Sequence, residues 1–289
     1  MLDKKIAFIG SGAMGEAMIA GLIRQGLASP SDLSTADVHA QRVEDLRERY
    51  GTRPFTDNRL AATGADLVVL SVKPQRLTEV LKGLRGAIAS HALVLSIVAG
   101  AKITKLGHGL GHEAIVRSMP NTPAQIGQGI TVWMPSPAVS QAQKELARAV
   151  LGALGEQVEV DDENYLDMAT ALSGTGPAYI FLFMEAMIDA GVHMGFSRQV
   201  SEQLVVETLK GSVAYFESRN QKDQAHVATL RNQVTSPGGT TAQALYYLEK
   251  AGFRTAVSRA IWAAYERSIE LGKEKTVHIP ETNSGGSGE

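Results

Sequence analysis

Residues 4–26 read KKIAFIGSGAMGEAMIAGLIRQG. Lys4 to Gly10 is a short apolar run of strand length carrying Ile6, Phe8 and Ile9, and EAMIAGLIRQG has helical spacing and closes on Gly26 as a cap. Between them Gly10, Gly12 and Gly15 stand in G-x-G-x-x-G order. The first glycine permits a tight turn, the second lets backbone approach a pyrophosphate, and the third allows close packing of helix on strand. The helix N-terminus then offers unpaired N–H groups to the phosphates. Alone the pattern is weak. Following a strand and opening a helix at the start of the chain, it predicts a dinucleotide turn formed by Gly10, Ser11, Gly12, Ala13, Met14 and Gly15.

Outward from this turn, strand and helix signals alternate. LSTADV reads as a strand before the charged helix QRVEDLRERYG, and ADLVVLSVKP and HALVLSIVAG are continuous apolar runs, as expected of strands covered on both faces. AIVRSMPNTP, GITVWMP and EQVEV continue the series, with SQAQKELARAVLGALG a helix before the last. The order predicts a doubly wound, mostly parallel α/β sheet of Rossmann type over residues 1–161. From Asp161 onward strand signals vanish and helical patterns follow one another: Glu163 to Leu172, Pro177 to Met194, Ser197 to Arg219, Gln224 to Val234, Thr241 to Ala251 and Arg254 to Leu271. The helix after Pro177 is apolar nearly all round, so it is expected both to centre an all-α domain over 162–275 and to pack against another copy of the chain. The tail 276–289, rich in Gly and Ser, reads as disordered.

The formal charge of −2 gives no electrostatic reason to expect nucleic acid or an anionic membrane as partner. No cysteine is present, which excludes disulfides, thiolate nucleophiles and Cys-ligated zinc, and a cytoplasmic address is the default. The apolar stretch AYIFLFMEAMIDAGVHMG carries Glu185 and Asp189, which argues against a membrane span. His108 and His112 lie four apart in GHGLGHE, but Gly107, Gly109 and Gly111 argue for a flexible surface loop there rather than a helix binding metal, and no metal is expected.

Several residues are placed by position. Asp37 lies where an acidic side chain accepts from an adenosine ribose 2′-OH, the arrangement that favours NADH. Arg42 and His39 stand near enough to answer a 2′-phosphate instead, and a plain helix cap also suits Asp37; the sequence leaves these open. Lys73, in SVKP, ends a buried strand on the side where ligands bind, and the segments VAGA and MPNTP end the following strands. ALSGTGPAY, Ala171 to Tyr179, reads as the break between two helices, with Gly174 and Gly176 permitting close approach. VTSPGGTT, Val234 to Thr241, makes a turn at Pro237-Gly238-Gly239. The N–H groups near Thr240 and Thr241 are then free at a helix start, with the Ser236 hydroxyl beside them, a place suited to a carboxylate.

GSGAMG, SVKPQ, MPNTPA, ALSGTGPAY and VTSPGGTT, in this order, resemble pyrroline-5-carboxylate reductase, and the resemblance runs from about Lys5 to Leu271. It implies a Rossmann domain followed by a helical dimerisation domain, homodimers that often gather into decamers, and reduction of the C=N bond of pyrroline-5-carboxylate to L-proline by NADPH or NADH. By position it implies that Asn58 and Ser71, Val72, Lys73 and Pro74 contact the cofactor, with Lys73 near the substrate as well. Ala99, Gly100 and Asn121 would line the nicotinamide side. Ser236 and the backbone from Gly239 through Thr240 and Thr241 would hold the carboxylate, the Thr241 hydroxyl would bond the ring nitrogen, and Glu163 is carried over as a further substrate residue. Gln233 departs from the asparagine some relatives carry before the turn.

Three other readings compete. A β-hydroxyacid dehydrogenase shares the two-domain plan but wants a lysine near the start of the second domain, and residues 157–206 contain none. A non-catalytic dinucleotide-binding protein would need no second anion site. An imine reductase for another ring size fits the same motifs.

Overall fold

The computed structural model describes residues 1–273, so the tail expected at 276–289 lies outside the described residues. The chain opens β1 (Ile6–Ile9), α1 (Ala13–Arg24), β2 (Leu33–Ala36), α2 (Ala40–Tyr50), β3 (Arg53–Phe55), α3 (Asn58–Ala62), β4 (Leu67–Leu70), α4 (Leu77–Leu84), β5 (Leu93–Ser96) and α5 (Ile103–Leu110). It continues β6 (Ile115–Met119), β7 (Gly129–Pro135), α6 (Gln141–Gly152) and β8 (Gly155–Glu159). The strands form one sheet in the order β3-β2-β1-β4-β5-β6-β7-β8. All neighbours are parallel except β6 and β7. Every side chain of β1 and β4 is at most 1% exposed, which accounts for their unbroken apolar sequence. Ile6 and Phe8 join one core with Met18 and Leu22 of α1 and Leu151 of α6, and Ala7 and Ile9 join another with Leu81 of α4 and Leu106 of α5. The chain leaves β1 toward β2 on one side and returns as β4 on the other, which makes their carboxyl ends the ligand crevice of the sheet.

Two local expectations are corrected. β3, Arg53–Phe55, is an edge strand too short to show alternation and containing Pro54; no strand was expected there. The segment expected as a loop around His108 is the helix α5, and Gly111 alone acts as breaker, capping it with φ +66°. The glycines inside α5 serve packing. A Cβ on Gly109 would stand 2.8 Å from Leu81 Cδ1 and 3.0 Å from its Cβ, so the missing side chain is what lets α4 lie against α5.

Beyond β8 the described chain is helical: α7 (Asn164–Ala169), a π turn at Thr170–Gly174, α8 (Gly176–His193), α9 (Arg198–Asp223), α10 (Val227–Gln233), α11 (Thr240–Lys250) and α12 (Phe253–Gly272). The expected break at Ala171–Tyr179 is therefore a wide turn within a nearly continuous helix. Thr170 O accepts the wide bond from Thr175 N–H at 2.9 Å and also the Thr175 hydroxyl at 2.8 Å, and the Tyr179 hydroxyl donates to Ala171 O at 3.1 Å. A Cβ on Gly174 would meet Met119 Cε at 2.8 Å, so this turn seats the end of β6. α8 packs along α9 but does not form the centre of the helical half. Phe181 is 62% and Leu182 68% exposed, and the span Asn164–His193 is long and apolar enough to cross a membrane by length and composition while lying almost wholly on the surface of the single chain.

Candidate active site

The glycine turn is built as its spacing predicts. Gly10 has φ +86°, and a Cβ there would come within 2.7 Å of Val72 Cγ1 and 2.9 Å of Ser71 O. A Cβ on Gly15 would reach 2.9 Å from Gly10 O and 3.1 Å from Ser71 Oγ, so both positions need hydrogen for steric reasons. Gly12 differs: an added Cβ would meet nothing within 4 Å. It faces open space at the N-cap of α1, whose side-chain cap is missing, and among the described residues no acceptor takes the N–H groups of Ala13, Met14 or Gly15. Free donors around an open cradle fit a pyrophosphate.

Ser71 closes the crevice wall. Its N–H donates to Ile9 O at 2.9 Å and its hydroxyl to Gly10 O at 2.5 Å, tying the end of β4 to the turn after β1. Ser11 is fully buried, donating its hydroxyl to Ala36 O at 3.2 Å and its N–H to Asp37 Oδ2 at 3.0 Å. Lys73 precedes the short turn at Pro74 and is exposed, with no hydrogen bond or ion pair to another described side chain. Asn58 begins α3, capped by Asp57. Asn121 accepts from Ile130 N–H at 3.0 Å through Oδ1 and starts the 3₁₀ turn at Thr122–Ile126.

Gly100 and Glu163 are placed differently from a ligand wall. Gly100, φ +71°, is buried against the end of α12, where a Cβ would stand 2.9 Å from Gly272 N. Ala99 beside it stays partly accessible. Glu163 Oε1 accepts from Ile103 N–H at 2.8 Å and from Arg117 Nη1 at 3.0 Å. Arg117 Nη2 reaches Asp167 Oδ1 at 2.8 Å, and the Ser268 hydroxyl donates to that same oxygen at 2.8 Å. This buried cluster joins β6 to α7 and α12. Sequence reading missed Arg117, Asp167 and Ser268; the available signal was a single arginine inside the apolar strand AIVRSM, since a charge in such a strand needs buried partners.

The second anion position is the turn before α11. Gly239 N–H donates to Ser236 O at 3.1 Å across Pro237 and Gly238, and Gly238 has φ +71°, a type II turn with proline and glycine where that turn wants them. A Cβ on Gly239 would fall 2.5 Å from Ser236 Oγ, so glycine here clears the serine hydroxyl. Gly239 caps α11 without any side-chain hydrogen bond. Among the described residues, the hydroxyls of Ser236, Thr240 and Thr241 and the N–H groups of Thr240, Thr241 and Ala242 have no protein partner. No hydrogen bond of the described residues joins this turn to the glycine cradle.

Comparison with known proteins extends these features over the whole described chain. A family profile for pyrroline-5-carboxylate reductase dimerisation matches residues 163–271, and one for NADP oxidoreductase, coenzyme F420-dependent, matches residues 5–100. A pyrroline-5-carboxylate reductase from Synechocystis sp. is 39% identical over 270 residues, 93% of this chain and 99% of the relative. The crystal structure of the Plasmodium falciparum enzyme, solved with NADP bound, superposes with a TM-score of 0.85 at 34% identity, covering 94% of this chain and all of that one. The Coxiella burnetii enzyme gives 0.83 at 35% identity, covering 94% and 99%. With a cradle for a dinucleotide, an uncapped helix start for a small anion and this similarity over nearly its full length, the chain belongs to the pyrroline-5-carboxylate reductases.

Proposed function

We propose that this chain reduces the cyclic C=N bond of 1-pyrroline-5-carboxylate to L-proline, the last step of proline biosynthesis, with NADPH or NADH as hydride donor. Beside family membership, the observation that carries the reading is the uncapped turn at Ser236–Thr241, with neighbouring N–H groups and three hydroxyls that no group among the described residues engages. That arrangement suits a substrate carboxylate. Gly12, Ser71 to Pro74, Asn58, Ala99 and Asn121 would hold the dinucleotide, whose nicotinamide supplies the hydride when bound.

The chemistry asks little of the side chains. A cyclic imine protonated on nitrogen is already electrophilic at carbon, and it needs to be held at a fixed distance and angle. The backbone and Ser236 hydroxyl fix the carboxylate, and the Thr241 hydroxyl bonds the ring nitrogen; Lys73 adds positive charge beside the crevice. Orientation thus supplies most of the acceleration, with no histidine or cysteine required. Self-association through the helical half covers the apolar face of α8, in keeping with the match to a dimerisation profile. Five such pairs in a decamer are the assembly the family resemblance implies. We place the enzyme in the cytoplasm, without nucleic-acid or membrane partners, in line with its near-neutral charge and with Glu185 and Asp189 inside the apolar helix.

The test is oxidation of NADH and NADPH with pyrroline-5-carboxylate, beside piperideine-6-carboxylate and, in reverse, a 3-hydroxy acid with NAD. Turnover should be fastest on the five-membered imine. Thr241→Ala should lower kcat/KM about 10- to 1,000-fold, as for loss of the hydroxyl oxygen that accepts from the iminium N–H and holds the ring in place, and Ser236→Ala should mainly raise KM. Full kcat/KM in Thr241→Ala removes that hydroxyl from the mechanism, and an unchanged KM in Ser236→Ala removes the carboxylate pocket.

A further inference from the structure

The crook between β2 and α2 decides which dinucleotide the cradle accepts. In a parallel crossover of this kind it lies beside the adenosine ribose, where an acidic side chain accepts from the 2′-OH and an unpaired basic one accommodates a 2′-phosphate. Asp37 follows β2 directly, and both its oxygens are anchored: Oδ2 accepts from Ser11 N–H at 3.0 Å and Oδ1 from His39 N–H at 3.0 Å. A carboxylate oxygen has room for a second donor, so the group is fixed in place yet still able to receive ribose hydroxyls. Its tie to Ser11 makes it part of the glycine turn itself.

The cations that would offset a 2′-phosphate are already engaged. Arg42 donates through Nε to Ser11 O at 2.6 Å and pairs through Nη2 with Glu16 Oε2 at 2.5 Å. Arg49 Nη1 binds Glu16 Oε1 at 2.5 Å, and the Tyr50 hydroxyl donates to that oxygen at 2.9 Å. Burial of Glu16 acts to raise its pKa, but the hydrogen bonds from Arg42 and Tyr50 and the charges of Arg42 and Arg49 outweigh it and hold the carboxyl below its ordinary value of 4.5. Glu16 is therefore an anion at neutral pH and keeps Arg42 neutralised. Arg53 lies back along β3, opposite Ser34, with its guanidinium over the Phe55 ring. Among the described residues His39 is left as the neighbouring side chain without such a partner, and its own backbone N–H supports Asp37.

We infer that this cradle selects NADH over NADPH, with Asp37 as the specificity-determining residue and Glu16 holding Arg42 away from the 2′ position. The inference rests on the dinucleotide reading of the cradle and is independent of which imine is reduced. The NADP in the Plasmodium relative reports on that protein's own crook.

Binding decides it without turnover. The purified full chain is titrated with NADH and with NADPH, followed by calorimetry or by quenching of its two tryptophans. The wild type should bind NADH at least about 10-fold more tightly. Asp37→Asn keeps an acceptor oxygen for the loop and removes the charge, and it should shrink that ratio by about 10-fold, mainly through tighter NADPH. Glu16→Gln frees Arg42 and should also tighten NADPH. Equal or tighter NADPH binding by the wild type, or an unchanged ratio in Asp37→Asn, overturns the inference; unchanged NADPH binding in Glu16→Gln overturns the part given to Arg42. Oxidation assays on the same protein separate this from the proposed reaction. Selective NADH binding with no imine reduction leaves the coenzyme inference standing and sinks the reductase reading. Imine reduction that runs better with NADPH does the opposite.

Discussion

Arg117→Met should be the most damaging single substitution between the sheet and the helices. Arg117 is 2% exposed and Asp167 4%. The guanidinium spans Glu163 at 3.0 Å and Asp167 at 2.8 Å, while among the described residues Asp167 keeps only the Ser268 hydroxyl, at 2.8 Å, as a further side-chain donor. Methionine fills much of the volume, so the loss is electrostatic: a carboxylate stays buried without its counter-charge. Breaking a buried pair in this way costs about 3–5 kcal/mol. At roughly 2–4 °C per kcal/mol for a domain of this size, the melting temperature should fall on the order of 10 °C. The assay is thermal unfolding at one fixed protein concentration, because self-association makes the midpoint concentration-dependent.

Two companions make the reasoning refutable. Ser268→Ala removes one hydrogen bond to a charged group, worth about 1.5–3 kcal/mol, and should cost less than Arg117→Met. Arg117→Met with Asp167→Leu removes the stranded charge as well, and should recover at least half of the lost stability, since a buried ion pair replaced by apolar groups is often close to neutral. A double variant no better than the single one, or an Arg117→Met midpoint within about 2 °C of wild type, refutes the account.

Three further outcomes are expected. Gly12→Ala, where a Cβ meets no protein atom, should leave the melting temperature within about 2 °C of wild type while weakening dinucleotide binding about 10-fold or more in a titration; unchanged affinity would place the pyrophosphate elsewhere. Gly109→Ala should cost about 1–3 kcal/mol in thermal or denaturant unfolding, because its Cβ would stand 2.8 Å from Leu81 Cδ1 in the α4–α5 contact. Burial of Glu159 acts to raise its pKa, but hydrogen bonds and charges from Lys144 and Arg148 outweigh it and set the group below its ordinary 4.5. Its contribution is thus complete above that ordinary value and disappears as pH falls through the lowered one. The gap in melting temperature between wild type and Glu159→Gln should therefore be open at pH 7 and close in acid; a gap that widens on acidification would reverse the sign.

What was legible in the sequence depended on how local its cause is. Gly10 and Gly15 announce themselves because part of their demand is local, the φ of +86° at Gly10 and the Gly10 carbonyl under Gly15, although Ser71 and Val72 add to it from just after β4; Pro237-Gly238 does so because a type II turn needs those residue types in that order. The buried strands read correctly from composition alone. The helix α5 did not, since Gly109 answers to Leu81 on another helix and packing overrode its propensity. The π turn depends on Met119, far back on β6, and no spacing rule foretells it. The competition between Asp37 and Arg42 stayed open for the same reason: Arg42 is decided by Glu16, 26 residues away. The cluster at Arg117 joins partners 46 and 50 residues apart, with Ser268 a further 101 from Asp167, beyond any periodicity.

These distant contacts share a location. The Arg117 cluster holds β6 to α7 and α12, Met119 fits over Gly174, and Gly100 lies against Gly272. All three act where β5 and β6 hand over to the loops carrying Ala99, Gly100 and Asn121. An enzyme that relies on a general acid or base tends to aim ionisable side chains into its crevice. Here the ionic groups of the Arg117 cluster face each other across the joint between sheet and helices, and among the described residues the free donors at the two candidate sites are backbone N–H groups and hydroxyls, with Lys73 beside the first. That division suits hydride transfer to an imine already electrophilic: the rate depends on how firmly two bound molecules are held in register, and the fold's buried electrostatics are placed to keep that register.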